Sequence, residues 1–161
     1  MKLDWLDDDS LMILLPEPLL SEWHGIDSDD YEHACALSNS WLNTIPVLDG
    51  HGFLLGGDAG MVLVALDNDG TTSLIRWVYA NDEDELVEFA LQAKSVTQSA
   101  PDLVFNNTFS KWVLFNAAAN PSSDNPERRS ISLPFGQIRV ETAYCESEVN
   151  AAIVHRFSKS A

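Results

Sequence analysis

Apolar and polar positions follow two different periods along this chain, and the change of period divides it. Leu11-Met12-Ile13-Leu14-Leu15 is an unbroken apolar run closed by Pro16. That pattern suits a short strand buried on both faces better than a helix so brief. Pro18 fits a first helical turn, with Leu19, Leu20 and Trp23 at i, i+1 and i+4 before Gly25 stops the chain. A second short helix is expected over Asp30–Leu37, capped by Asp27 or Ser28, with Tyr31, Ala34 and Cys35 turned inward.

From Asn43 the period shortens to two. Thr44–Leu48 and Gly52–Leu55 flank Asp49-Gly50, and Met61–Leu66 and Thr72–Tyr79 flank Asn68-Asp69-Gly70, so two hairpins are predicted. Between the hairpins, Gly56–Gly60 reads as a tight turn that needs positive φ. A helix is predicted over Asn81–Lys94, capped by Asn81 or Asp82, with Leu86, Phe89, Ala90 and Ala93 as its inner stripe. The acids of its first turn answer the helix macrodipole, which gives them a local reason to be there. Strands follow at Leu103–Phe105, Lys111–Phe115, Ser130–Leu133, Gly136–Cys145 and Asn150–Phe157, with a turn-rich, mobile loop expected over Asn120–Pro126. The fold class is α+β: a mostly antiparallel β-sheet with two or three covering helices, in one domain over residues 1–161.

Charge changes the picture more than composition does. Residues 3–75 hold fourteen Asp and Glu and no Lys or Arg, and the whole chain carries a formal charge of −16. Solubility needs only about 2–8 charges on a small domain. A negative surplus on a segment apolar enough to fold points to a cationic counterpart, and it excludes a nucleic-acid binder, which must neutralise phosphates. No membrane span is expected, because the longest apolar run is far below about 18 residues. The N-terminus lacks a signal-peptide core, so the expected compartment is the cytoplasm, with Cys35 and Cys145 as reduced, mostly buried thiols.

Chemistry is harder to find. His24, His33, His51 and His155 are scattered, and the His33/Cys35 pair has no second pair of ligands, so no metal and no cofactor is expected. The Gly56–Gly60 run lacks the Lys-Ser/Thr of a phosphate loop, there is no nucleophile elbow, and Asp67–Gly70 departs from calcium-loop spacing. No enzyme is indicated. Trp23, beside Glu22 and close to Asp27, Asp29, Asp30 and Glu32, is a candidate apolar anchor inside an acidic rim. Asp7, Asp8 and Asp9 form a second candidate acidic run after Trp5.

Several of these motifs occur together in a known order. Trp5, Leu11–Leu15 with Pro16-Glu17, Leu20, Trp23 and Gly25, then Asp30-Tyr31-Glu32 with Ala34-Cys35-Ala36, resemble the N-terminal signature of the immunity protein 21 family. Gly52, Leu54-Leu55-Gly56 with Asp58, and Leu74–Val78 followed by Ala80 extend the likeness over roughly residues 5–90, and Ile153–Arg156 adds to it near the end. The chain departs from that signature at Asp7–Ser10, where the family has a Gly-Gly-Pro stretch. The resemblance implies a bacterial protein encoded beside a polymorphic toxin, which neutralises it by direct binding and has no catalytic residues. The charge adds that the cognate toxin domain is basic, as a nuclease is. The alternative is an acidic nucleic-acid mimic that blocks DNA-binding proteins, which would be promiscuous where an immunity protein is specific.

Overall fold

The structure, a computed structural model, describes residues 3–7, 11–57, 59–66, 69–92 and 96–160. In chain order the first strands are β1 (Leu6–Asp7), β2 (Met12–Pro16), β3 (Leu42–Val47), β4 (Gly50–Leu55), β5 (Met61–Leu66) and β6 (Thr72–Tyr79). The rest are β7 (Val96–Ser99), β8 (Leu103–Asn107), β9 (Lys111–Asn116), β10 (Arg129–Ser132), β11 (Gly136–Glu146) and β12 (Ala151–Lys159). Helix α1 spans Asp30–Leu37 and α2 spans Glu83–Gln92, with 3-10 turns at Glu17–Glu22 and Gly25–Asp27. The fold is α+β and mostly β, as the pattern predicts, with its strands divided between two antiparallel sheets. Backbone contacts group the chain into two compact units: Met1–Asp7 with Asp58–Thr108 and Pro134–Ala161, and Asp8–Gly57 with Phe109–Leu133.

The second of these units holds the sheet β10-β9-β2-β4-β3. β2 lies between β4 and β9 and all five of its residues are buried, which is why its sequence is an apolar run without alternation. On one face Ile13, Leu15, Ile45, Val47, Leu54, Val113 and Phe115 pack with Leu19, Trp23 and Ala34 from the helical segment Glu17–Leu37. That burial fixes the segment, since the Asp29 N-cap of α1 makes no side-chain capping bond. Ser28 supplies a local substitute, its hydroxyl accepting from the Asp30 N–H at 3.1 Å. Tyr31 and Ala34 turn inward as expected, but Cys35 is exposed while Cys145 is buried, and both thiols are free. The β3–β4 corner also differs from expectation. Gly50 pairs with Val47, so Leu48 and Asp49 make the turn and Leu48 takes φ of 54°.

The other unit holds the sheet β1-β5-β6-β12-β11-β7, with β8 also paired to β11. Helix α2 covers one face, where Leu86 and Ala90 pack with Ile75, Cys145, Ala152 and Val154. Its start is as predicted: the Asp82 carboxylate accepts from the Glu85 N–H at 3.0 Å. Ala93 and Lys94, predicted for the end of this helix, lie outside the described residues. The opposite face of the sheet holds a buried polar group. Arg76 on β6 donates to His155 Nε2 on β12 at 3.4 Å, and His155 Nδ1 lies 2.9 Å from the Thr142 hydroxyl on β11. Because a guanidinium only donates, Nε2 must be the acceptor and Nδ1 carries the proton.

This arrangement makes stability pH-dependent. Burial, and after it the Arg76 charge, holds His155 well below the ordinary 6.5, and burial also lowers His51. Below pH 6.5 the unfolded chain takes up protons that the folded chain refuses. Stability present above that value is therefore lost as the pH falls toward the folded-state values, by about 1 kcal/mol between roughly pH 6.5 and 5.5 for the fully buried His155, with a loss of the same sign from the half-buried His51. Urea denaturation across this interval is expected to show the slope, and His155→Gln to flatten it whatever its own cost in stability. A slope that the substitution leaves unchanged would assign the effect elsewhere.

Candidate functional site: an acidic face on the β2–β4–β9 unit

The residues after the first 3-10 turn are held against one short stretch of backbone. The Trp23 indole N–H donates to the Ala117 carbonyl at 2.9 Å, and the Ile26 N–H donates to the Ala118 carbonyl at 3.0 Å. Ala118 is itself held, its N–H donating to the Asn116 side chain at 2.8 Å. Gly25 turns the chain with φ of 56° directly over Ala118 and Ala119. Trp23 is only 2 % exposed. It fills the core beneath the acids, which corrects its expected place as a surface anchor; the ring positions the acidic segment from below. The exposed apolar residue of the segment is Ile26, at 68 %.

The predicted acids lie above that platform. Asp27, Asp29 and Glu32 are exposed and Asp30 is half-buried. Two of the four have structural work: Asp30 Oδ2 accepts from the His24 N–H at 2.9 Å, and Asp27 Oδ2 accepts from the Asn120 amide at 3.2 Å. Neither Asp29 nor Glu32 makes a side-chain hydrogen bond among the described residues. None of the four pairs with Lys or Arg among the described residues; the partner that Asp30 has is His24, with Nδ1 at 3.5 Å. Asp7 ends β1, while Asp8 and Asp9 lie outside the described residues.

One acid was not foreseen. The Asn120–Asp124 loop is closed by its own bonds, with Asp124 N–H donating to the Asn120 carbonyl and Asn120 N–H donating to Asp124 Oδ2, both at 2.8 Å. Since the Asn120 amide also holds Asp27 in a bond that spans 93 residues of sequence, it links Asp124 to the Asp27 segment. Elsewhere in the described chain, several carboxylates are matched: Glu17 with Lys111, Glu127 with Arg129, and Asp102 with Arg139. The Asp27–Glu32 acids and Asp124, linked to Asp27 through Asn120, have no such Lys or Arg partner among the described residues.

Among the described residues no three His, Cys, Asp or Glu side chains gather as a metal site, and no helix is long and apolar enough to cross a membrane. A protein-family model described as Immunity protein 21 matches residues 4–151. The chain belongs to that family. The Immunity protein 21 match runs through both compact units, so neither is an appendage to the family domain. No curated protein and no solved structure matches the chain. Membership makes this an immunity protein and implies a toxin as its partner.

Proposed function

We propose that the chain acts as one immunity domain over residues 1–161, in the cytoplasm and without catalysis or cofactor, by docking its acidic face onto a cationic surface of a cognate toxin domain. A basic nuclease fits best, since an enzyme that grips nucleic acid must display cations. Nucleic acid and membrane are not partners in this reading. The observation that carries it is the uncompensated group Asp27, Asp29, Asp30 and Glu32, joined by Asp124 and resting on a buried Trp23 platform. Asp7, Asp8 and Asp9 are assigned the same role from their charge alone. Ile26, exposed amid these acids, is the apolar contact that Trp23 cannot provide. Complementary charge raises association rates to as much as about 10⁸–10⁹ M⁻¹s⁻¹ at low salt, and fast capture is what protects a cell that makes its own toxin.

Asp29 and Glu32 give the cleanest test because neither carboxylate holds the fold together. With the toxin domain encoded beside this chain, the Asp29→Lys/Glu32→Lys variant is expected to stay folded and lose no more than about 1–2 kcal/mol, because both positions lie at the N-terminus of α1 where the macrodipole favours negative charge. Its association rate at low salt should fall at least about tenfold, with a flatter dependence on ionic strength. Unchanged rate and salt dependence would remove this face from the interface.

A further inference from the structure

A second feature suited to a cation lies on the other unit, away from the residues of the acidic face in sequence and sheet. Ala151 on β12 pairs with Tyr79 on β6 and with Glu146 on β11, whereas the next residue, Ala152, pairs with Trp77. β6 therefore carries one extra residue at this point, and the bulge turns Tyr79 to the face that holds Glu146. Tyr144, two residues before Glu146, shares that face. The Tyr144 hydroxyl donates to Glu146 Oε2 at 2.8 Å, and the Tyr79 hydroxyl donates to the Ser147 carbonyl at 2.8 Å. A carboxylate is thus fixed beside two phenol rings at the end of the sheet.

The electrostatics agree with this placement. The hydrogen bond to Glu146, then burial and the Glu146 charge, push the Tyr144 phenol up to about 12. Burial first and then Glu146 raise Tyr79 as well. Both tyrosines stay neutral donors at any ordinary pH, so the pair itself does not titrate. Glu146 and Glu148 are exposed, Tyr79 is 38 % exposed and Val149 on the adjoining turn 46 %. Among the described residues no Lys or Arg forms an ion pair with Glu146. Its carboxylate keeps acceptor sites that the tyrosines do not use.

We propose that Glu146, framed by Tyr79 and Tyr144, receives an arginine side chain of the toxin. This rests on the reading that the partner is a cationic protein, and it adds a contact on the second unit. Arginine suits the place better than lysine because its planar guanidinium can bond a carboxylate edge-on and lie against a phenol ring at once. Tyrosine and arginine are also among the residue types that concentrate binding energy at interfaces.

The probe is N-acetyl-arginine amide, with the lysine and citrulline amides alongside, titrated into the full chain while the tyrosine ring resonances are followed by NMR. The arginine amide is expected to move Tyr79 and Tyr144 saturably. Lysine should bind at least about fivefold more weakly, and neutral citrulline should not bind. Glu146→Gln keeps an oxygen to accept from Tyr144, so it should fold normally and lose the response. The proposal is overturned by a response that survives in Glu146→Gln, by citrulline binding equally, or by lysine binding as well as arginine. It is also overturned if arginine shifts the Glu83–Glu85 amides as much as the tyrosine rings. Because this titration needs no toxin, its failure leaves the Asp29/Glu32 experiment standing, and the converse also holds.

Discussion

Trp23→Ala is expected to cost about 3–5 kcal/mol of stability, the range for emptying the site of a large buried aromatic. The ring is 2 % exposed and packs in the cluster of Leu19, Ala34, Phe115 and Ala117, which come from a 3-10 turn, α1, β9 and the turn after it. A hydrogen bond is lost as well, the one from the indole N–H to Ala117 at 2.9 Å. Trp23→Phe separates the two effects, since it keeps most of the volume but leaves a buried carbonyl unpaired, for roughly 1–3 kcal/mol. Chemical denaturation of both variants measures this. The comparison also decides what the residue is for. A Trp23→Ala protein that kept wild-type stability yet lost toxin binding would restore Trp23 as a direct contact; a loss of binding that tracks the loss of stability assigns it to the platform.

That role was hard to see in the sequence because the two readings share one pattern. Leu19 and Trp23 at i and i+4 mark an inner stripe, while Glu22, Asp27 and Asp29 around them mark an exposed neighbourhood. Both descriptions hold, for opposite sides of the same segment, and local sequence does not say which side the ring takes. Much of the fold was readable for the opposite reason. The β2 run closed by Pro16, the Asp82 cap of α2, the Asp69-Gly70 corner and the alternation of Ile138, Val140 and Thr142 are each fixed by residues within a few positions of one another. Alternation fails where there is little burial to impose it. All four residues of β7 are exposed, so Val96–Ser99 gives no period to detect.

Long-range partners left no trace of either kind. β2 pairs with β9 about a hundred residues away, which is why one sheet was expected where the strands form two. Asp124 reaches Asp27 only through the Asn120 amide, and Glu146 meets Tyr79 only through the β6–β12–β11 register and its bulge. The composition identified the sign of the candidate surface, and Asp27–Glu32 located part of it. The completing residues come from elements whose adjacency only the tertiary fold creates. At the β3–β4 corner the Asp49-Gly50 pair misled by one position, because pairing of Gly50 with Val47 outweighs the strain of placing Leu48 at positive φ.

The acidic face depends on one position where no side chain is tolerated. Gly25 has φ of 56°, and a methyl group there would lie 2.2 Å from the Ala118 carbonyl oxygen and 2.5 Å from that of Ala119. Both obstacles are backbone, so neither can rotate aside. Gly25→Ala therefore adds a forced displacement of the Ala117–Ala119 turn after β9 to a left-handed penalty of roughly 1–2 kcal/mol. A total on the order of 3 kcal/mol or more is expected, which for a chain of this length lowers Tm by about 6–12 °C. Gly70→Ala is the control, since Gly70 has φ of 87° with nothing within 4 Å of an added methyl, and it should show the conformational penalty alone. If the two variants melt together, contact with the carbonyls is not what makes Gly25 necessary. If Gly25→Ala melts well below Gly70→Ala, the displaced backbone is the one that holds Ile26 and, through Asn120, both Asp27 and Asp124. The proposed docking surface should then lose its arrangement together with its stability, and the variant should associate with the toxin more slowly even at temperatures where it remains folded.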